Sequence, residues 1–207
     1  MHLIDTTLLS KMVPVYRGAR GVRQQANIRA ISMFLPATLL RYGVTTQLRQ
    51  AHFLAQVCEE SWGLSDMKEE RSGAEYQGRK DLANTQPGDG VRFKGRGLIQ
   101  LTGRANYQRM GHELDLDLVG TPELAETPAV AVETACRYWL DKGLNQLADL
   151  DDLKGITRRI NGRLMLGLKQ RATYLARAKA LLDTDRGPTT MVHPVAYGPD
   201  GQPIYAV

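Results

Sequence analysis

The chain is poor in the residues that build disulfide frameworks and metal centres. Its 207 residues include two cysteines and four histidines. Cys58 and Cys136 lie far apart in segments that are predicted to be helical, which favours buried free thiols over a disulfide. Free thiols fit synthesis in a reducing cytosol. The histidines are scattered rather than clustered at ligand spacing, so no metal site and no cofactor are predicted.

Long hydrophobic runs are also absent. The longest apolar stretch, residues 31–40, contains Pro36 and is too short to span a bilayer. Residues 1–11 lack the charged region and apolar run of a secretory signal. We therefore expect no membrane insertion, and synthesis in the cytoplasm without an export signal of the chain's own.

The charge balance leaves several kinds of partner open. Lysine and arginine number 27 against 22 acidic residues, a formal net charge of +5. This mild excess suits an anionic cell wall, an anionic lipid or a nucleic acid, and does not choose among them. No nucleic-acid-binding motif accompanies it, so a nucleic-acid partner is not predicted.

The periodicity of apolar residues predicts a mainly α fold. Residues 63–97 differ from the rest, because glycines punctuate a polar stretch without a sustained period. Long irregular regions are usually functional, and this one is predicted to form a loop region or small hairpin, as a small lobe lining a cleft. Residues 1–185 are predicted to form one domain, followed by a C-terminal tail at 186–207. The predicted helices cover residues 5–12, 23–42 with a break or kink at Pro36, 46–61, 103–110, 122–126, 128–142, 150–160 and 168–184.

The helix at 46–61 presents a carboxylate near its C-terminal end. Gln56 and Glu60 are four residues apart and share one helix face. The helix dipole disfavours an anion at that end, which suits an acid that must keep its proton. Taken in isolation, this feature favours a solvated glutamate at a helix end.

A second acidic group follows at Asp66, Glu69 and Glu70, and Gly63 lets the chain turn between the two groups. Glycoside hydrolysis uses two carboxyl groups, and inverting enzymes hold them roughly 6.5–9.5 Å apart around a water molecule. A charged surface loop is the alternative explanation.

Residues 94–107 combine glycines with polar side chains that can hold sugar hydroxyls and a water molecule. Gly95 and Gly97 flank Arg96, and Gln100, Thr102 and Asn106 follow. No strand-to-helix pattern surrounds these glycines, so a nucleotide site is not predicted. Tyr76 and Tyr107 can either stack on a sugar ring or belong to the scaffold.

These motifs resemble those of family 19 glycoside hydrolases, the chitinases and phage endolysins. Residues 53–61 resemble the catalytic helix of that family, and residues 95–107 resemble its second signature. Residues 76–90 are similar to the endolysin branch in particular, and residues 143–145 and 157–162 also match. The likeness covers about residues 45–183. Two positions depart from the pattern: Glu59 stands where the family usually has histidine, and Trp62 where it often has a small residue.

The resemblance implies a lysozyme-like helical domain with a catalytic cleft and an inverting, metal-free mechanism. It implies that Glu60 is the general acid, that Glu69, with Glu70 as the alternative, is the general base, and that Thr102 positions the attacking water. The predicted substrate-binding residues are Gln56, Tyr76, Arg96, Gln100, Asn106, Tyr107, Asn161 and Arg171.

Three functions are therefore considered. The first is a monomeric endolysin that cuts β-1,4 bonds in peptidoglycan glycan strands, acting in the periplasm or cell wall after release through a holin pore. The second is a chitinase acting on N-acetylglucosamine polymers. The third, from another class, is a non-catalytic cell-wall-binding protein, which the replacement of histidine by Glu59 allows.

Overall fold

A computed structural model describes residues 4–183, together with the backbone of a short antiparallel strand pair, β1 (Ala196–Tyr197) and β2 (Pro203–Ile204). The described body is mainly helical, as predicted. Short 3-10 helices lie at Ala74–Tyr76, Lys80–Leu82 and Pro122–Glu126. The α-helices are α1 (Thr6–Met12), α2 (Gly18–Ser32), α3 (Leu35–Arg41), α4 (Gln47–Glu60), α5 (Asp89–Arg92), α6 (Arg104–Leu114), α7 (Pro128–Asp141), α8 (Leu144–Asp149), α9 (Leu153–Asn161) and α10 (Leu168–Asp183).

Helix α4 is the central element of the fold. The Thr46 hydroxyl caps it by accepting a hydrogen bond from the Arg49 amide at 3.2 Å, as the sequence predicts. Every residue from Gln50 to Cys58 is buried, and α10 packs along its length. A helix buried on all sides must satisfy its polar side chains internally. The polar residues of α4 are therefore held by partners on neighbouring helices.

Two helix predictions need correction. The single helix predicted at 23–42 is two helices, α2 and α3, with Pro36 in the first turn of α3, where its missing amide costs nothing. Helix α8 was not predicted, because its six residues are too few to show a period. Of Asp5 and Thr6, the two residues that the sequence offers as the cap of α1, the structure uses Asp5: its carboxylate accepts from the Leu8 amide at 2.8 Å.

The irregular region at 63–97 contains no hairpin. It has isolated bridges between Lys68 and Arg96 and between Arg96 and Leu101, together with short turns and α5. The buried Asp89 carboxylate binds both the Arg104 side chain and the Gln86 amide. A second hydrophobic cluster joins the end of this region to the segment that follows it: Phe93, Leu101, Tyr107, Met110, Leu118 and Ala125.

The predicted single domain at 1–185 stays a prediction. The predicted tail at 186–207 lies outside the described residues apart from the β1–β2 backbone. Within the described part of the chain, no helix is long and apolar enough to cross a membrane.

The main core is tied together by a buried aromatic pair and one asparagine. Phe53 of α4 meets Trp139 of α7 edge to face, with ring centroids 5.4 Å apart. The Trp139 indole nitrogen donates to Asn145 Oδ1 at 2.9 Å, and Asn145 Nδ2 donates to the Tyr42 carbonyl at 3.1 Å. Asn145 therefore connects α7 and α8 to the end of α3.

We predict that Asn145→Ala lowers the free energy of unfolding by about 1–3 kcal/mol, because it leaves the buried indole N–H and the Tyr42 carbonyl without this partner. Urea unfolding followed by tryptophan fluorescence measures the change. Gln146→Ala, at the exposed neighbouring position, is the control and should change stability little. Equal losses in the two variants would contradict the role given to Asn145.

Candidate active site

A cleft of about 630 Å³ opens where the loop after α4 approaches α2 and the segment around Gln100. A second groove of about 410 Å³ adjoins it and shares Arg23, Asp66, Lys68, Glu69 and Glu70. The two acidic residues at 69 and 70 thus lie where the grooves meet. The lining residues of the cleft are Arg20, Arg23, Trp62, Asp66, Lys68, Glu69, Glu70, Arg71 and Gln100.

Glu69 is held in this cleft by neutral hydrogen-bond donors. Its Oε1 accepts from the Tyr76 hydroxyl at 3.1 Å, and its Oε2 accepts from the Gly95 amide at 3.1 Å. Burial, followed by the charge of Glu69, raises the pKa of Tyr76, so the phenol keeps the proton that it donates. Within the described chain, no lysine, arginine or histidine pairs with Glu69. Its carboxylate is fixed in place and remains free to accept a proton.

Gly95 makes this arrangement possible. A Cβ atom built at Gly95 would lie 2.6 Å from Gln100 Oε1 and 3.2 Å from Glu69 Oε2. Only glycine lets the backbone pass this close to both side chains. Gln100 is further fixed by a 3.0 Å hydrogen bond from its Nε2 to the Gly97 carbonyl. The glycine thus brings an amide and a carboxylate together at the cleft wall.

Glu70 differs from Glu69 in its surroundings. Its side chain is 78% exposed and pairs with Arg23 at 3.1 Å. The ion pair occupies the carboxylate, and exposure leaves its position weakly defined. Of the two candidates for the base, the structure fixes the position of Glu69 better.

Glu60 lies at the C-terminal end of α4 and is 19% exposed. Its Oε1 accepts from Arg171 Nη2 at 2.6 Å, and Arg171 Nη1 donates to Gln56 Oε1 at 2.5 Å. The sequence suggested a helix end and apolar neighbours as its surroundings, and the buried guanidinium from α10 was not foreseen. Glu60 is not among the residues that line the 630 Å³ cleft, although Trp62, two residues later, is.

Glu59, the neighbour of Glu60, is half-buried against the start of α10. A Cβ atom built at Gly167 would lie 2.2 Å from Glu59 Oε1, so the carboxylate occupies the space that any side chain at 167 would need. Burial raises the pKa of Glu59, Arg171 lowers it and Glu60 raises it. The charges of Glu59, Glu60 and Arg171 therefore act on one another.

Four of the predicted substrate-binding residues, Gln56, Arg171, Arg96 and Tyr107, are buried, and their contact with substrate stays a prediction. Arg171 bonds both Glu60 and Gln56. Arg96 Nε donates to Glu126 at 2.6 Å, and its Nη1 donates to the Tyr107 hydroxyl at 3.0 Å.

Tyr107 belongs to the scaffold beneath Arg96. Its hydroxyl donates to the Lys94 carbonyl at 2.8 Å, and burial raises its pKa to about 12. The alternative that Tyr107 is scaffold is the one that the structure supports.

Thr102, Asn106 and Asn161 are partly buried, and each makes a hydrogen bond to the backbone. Thr102 Oγ1 donates to the Gln100 carbonyl at 2.8 Å, and Asn106 Nδ2 donates to the Thr102 carbonyl at 2.7 Å. Asn161 Oδ1 accepts from the Leu166 amide at 2.7 Å, which fixes the loop before α10. Their contacts with water or substrate stay predictions.

Trp62 is a cleft residue whose place the sequence left open between the core and a sugar-stacking position beside Glu60. It continues the apolar stripe of the predicted helix, yet α4 ends at Glu60 and Trp62 adopts a left-handed backbone with φ 51°. The change of direction leaves the indole 67% exposed at the cleft. Gly63, immediately after it, was the available signal that the helix ends here.

The model of class I chitinases, glycoside hydrolase family 19, matches residues 21–153. This span contains Glu60, Glu69 and the segment around Gln100. The chain belongs to glycoside hydrolase family 19. It is therefore a glycoside hydrolase, and the lysozyme-like fold expected from the resemblance is confirmed.

Relatives and solved structures agree with this placement. A family 19 domain-containing protein of Haemophilus influenzae is 28% identical over 189 residues, which is 76% of this chain and 92% of that protein. An endochitinase of Pisum sativum is 30% identical over 125 residues, 54% of this chain and 38% of that protein. Chitinase C from Streptomyces griseus superposes with a TM-score of 0.66 at 22% identity, covering 87% of this chain and 77% of that one.

We predict that Tyr76→Phe lowers kcat about three- to tenfold, because Glu69 Oε1 loses the donor that fixes it while the ring is kept. Release of reducing ends measures the rate. Tyr42→Phe is the matched control, since it removes a similar bond to a glutamate, Tyr42 to Glu133 at 2.7 Å, outside the cleft. Equal losses in both variants would assign the effect to stability rather than to Glu69.

Proposed function

We propose that the chain is an endolysin that hydrolyses β-1,4 bonds between the amino sugars of peptidoglycan by single displacement. The observation that carries the chemistry is the setting of Glu69, a carboxylate fixed by two neutral donors in a cleft that it shares with Gln100 and Trp62. The choice of peptidoglycan rests on the charges around that carboxylate.

Glu60 is proposed as the general acid. It gives its proton to the bridging oxygen as the glycosidic bond breaks, so that the leaving sugar departs as a neutral alcohol. Glu60 is partly exposed at the end of a rigid buried helix and bound through Oε1 to Arg171, which fixes its position. The acid must carry its proton when substrate is bound.

Glu69 is proposed as the general base. It takes a proton from a water molecule, and the resulting hydroxide-like oxygen attacks the anomeric carbon from the face opposite the leaving group. Thr102 is proposed to orient this water, since its hydroxyl lies on the segment that also carries Gln100. A single displacement of this kind inverts the configuration at the anomeric carbon.

We predict that Glu60→Gln and Glu69→Gln each lower kcat about 10²–10⁴-fold, the usual contribution of a general acid or base. Glu70→Gln is the matched control and should lower kcat less than about threefold, because Glu70 serves an exposed ion pair. Rates are measured on purified peptidoglycan by reducing-end release, with mass spectrometry to identify the products. A large loss in Glu70→Gln with little loss in Glu69→Gln would reverse the assignment of the base.

Charge around Glu69 favours an anionic polymer. Four cationic side chains, Arg20, Arg23, Lys68 and Arg71, line the cleft beside three acids. Arg71 is the least neutralised of them: its side chain is 83% exposed, and its ion pair with Glu75 is 4.0 Å long. Peptidoglycan carries carboxylates on its peptide stems, whereas chitin carries no charge. Cations at the cleft can therefore contribute to binding of the first polymer and not of the second.

Chitinase activity is the second candidate, and the named relatives favour it. The Pisum sativum protein is an endochitinase, and the Streptomyces griseus structure is a chitinase. The two polymers share the β-1,4 amino-sugar bond, so one acid–base pair can serve both. Activity on soluble chitin oligomers, with none on purified peptidoglycan, would establish this candidate over the first.

We predict that Arg71→Ala lowers kcat/KM on peptidoglycan about two- to fivefold, the value of one exposed charge contact, and leaves kcat/KM on chitin oligomers unchanged. Arg29→Ala is the matched control, because Arg29 is an exposed cation of α2 outside the cleft lining. Parallel assays of both polymers at low and high salt measure the effect, which should fade as salt screens the contact. Equal losses on both polymers would contradict the proposed preference.

The expected place of action follows from the endolysin proposal. The enzyme would be made in the host cytoplasm and reach the cell wall after release through a holin pore, acting as a monomer.

A further inference from the structure

The Arg171 guanidinium lies at the junction of two neighbouring carboxylates. It donates to Glu60 at 2.6 Å and to Gln56 at 2.5 Å, and it is 2% exposed. It also interacts electrostatically with Glu59, the residue before Glu60. The buried positive charge thus bonds Glu60, the proposed proton donor, and acts on Glu59 through its electric field.

The backbone at the start of α10 is shaped to receive Glu59. Gly167 precedes the first residue of α10 and has φ +74°, and Glu59 Oε1 lies where its Cβ would stand. Arg171 is one helical turn further on, and its amide donates to the Gly167 carbonyl at 2.9 Å. Residues four apart share a helix face. Gly167, beside which the Glu59 carboxylate lies, and Arg171 are therefore on the same side of the start of α10.

We propose that Glu59 is a positioning residue that acts through Arg171 to let Glu60 hold its proton. This inference rests on the proposed role of Glu60 as the acid and is independent of which polymer is cut. In general, an arginine that hydrogen-bonds a carboxylate favours the charged form of that carboxylate. The negative charge of Glu59, whose carboxylate lies against Gly167, offsets part of the Arg171 charge and repels a negative charge on Glu60. Both effects favour the protonated acid.

The other groups that face this pair do not replace Glu59. Tyr138 of α7 is within electrostatic reach of Glu60, and burial raises its pKa, so it stays neutral. Tyr174 of α10 and Cys58 of α4 interact with Glu59, and burial raises the pKa of each to about 12. The two tyrosines and the thiol therefore add no charge, and Glu59 is the acidic neighbour of Glu60 beside Arg171.

The test is the pH dependence of kcat in Glu59→Gln, with each profile scaled to its own maximum. The alkaline limb reports loss of the proton from the acid. We expect this limb to move roughly 0.5–1 pH unit lower, which makes scaled activity at a fixed pH on the limb about three- to tenfold lower. A merely structural role would lower the maximum without moving the limb. An unmoved limb, or one displaced upward, would overturn the proposal.

Two further variants keep the test decisive if Glu59→Gln folds poorly. Gly167→Ala keeps every charge but takes the space of the Glu59 carboxylate, so its limb should also move lower. Glu59→Asp keeps the charge and should restore the limb at least partly. If the alkaline limb moves in Glu59→Gln but not in Gly167→Ala, the proposed position of the Glu59 carboxylate against Gly167 is refuted. If Glu60→Gln is as active as the unmodified enzyme, the acid assignment itself fails, which is a separate outcome.

Discussion

The bond from Arg171 to Glu60 is the interaction on which the site depends. It joins α4 and α10, two helices that pack along each other, since Glu60 ends α4 and Arg171 lies in the first turns of α10. A guanidinium that is buried must be paired, because an unpaired buried charge is very costly. Gln56 and Glu60 supply that pairing from one face of α4. The same bonds therefore fix the position of Glu60 and the packing of α10 against α4.

The second carboxylate, Glu69, is held by different interactions. Glu69 belongs to an irregular segment and is fixed by a phenol and a backbone amide, with no charge to neutralise it. The segment is held in turn by Arg96, whose buried side chain ties Glu126 and Tyr107 together beneath it. A rigid helix with a counter-charge thus carries Glu60, the proposed proton donor. A loop braced by buried polar bonds carries Glu69, the proposed proton acceptor.

Much of the fold and of the candidate site could be predicted from the sequence. The features that could not be predicted have identifiable physical reasons. The caps at Asp5 and Thr46 and the helix carrying Glu60 depend on neighbouring residues, so local patterns were sufficient. The burial of Arg96, Arg171 and Tyr107 depends on partners far along the chain, and polar residue types suggested contact with solvent or substrate instead. The sequence left the place of Trp62 open, because apolar periodicity continues past the end of α4 while Gly63 indicates that the helix ends. The seat of Glu59 on Gly167 joins positions more than a hundred residues apart, and no local signal indicates it.

The close approach at Gly95 also bears on how the cleft could change over time. The glycine stands between an amide and a carboxylate that leave no room for even a methyl group. Any substitution at Gly95 must displace the side chain of Gln100 or Glu69. A change in backbone shape at this position therefore also changes the chemistry of the site. The cationic side chains on the outer wall have no such restriction. Substrate preference can therefore change more readily through substitution of exposed residues such as Arg71, while the residues around Gly95 stay the same.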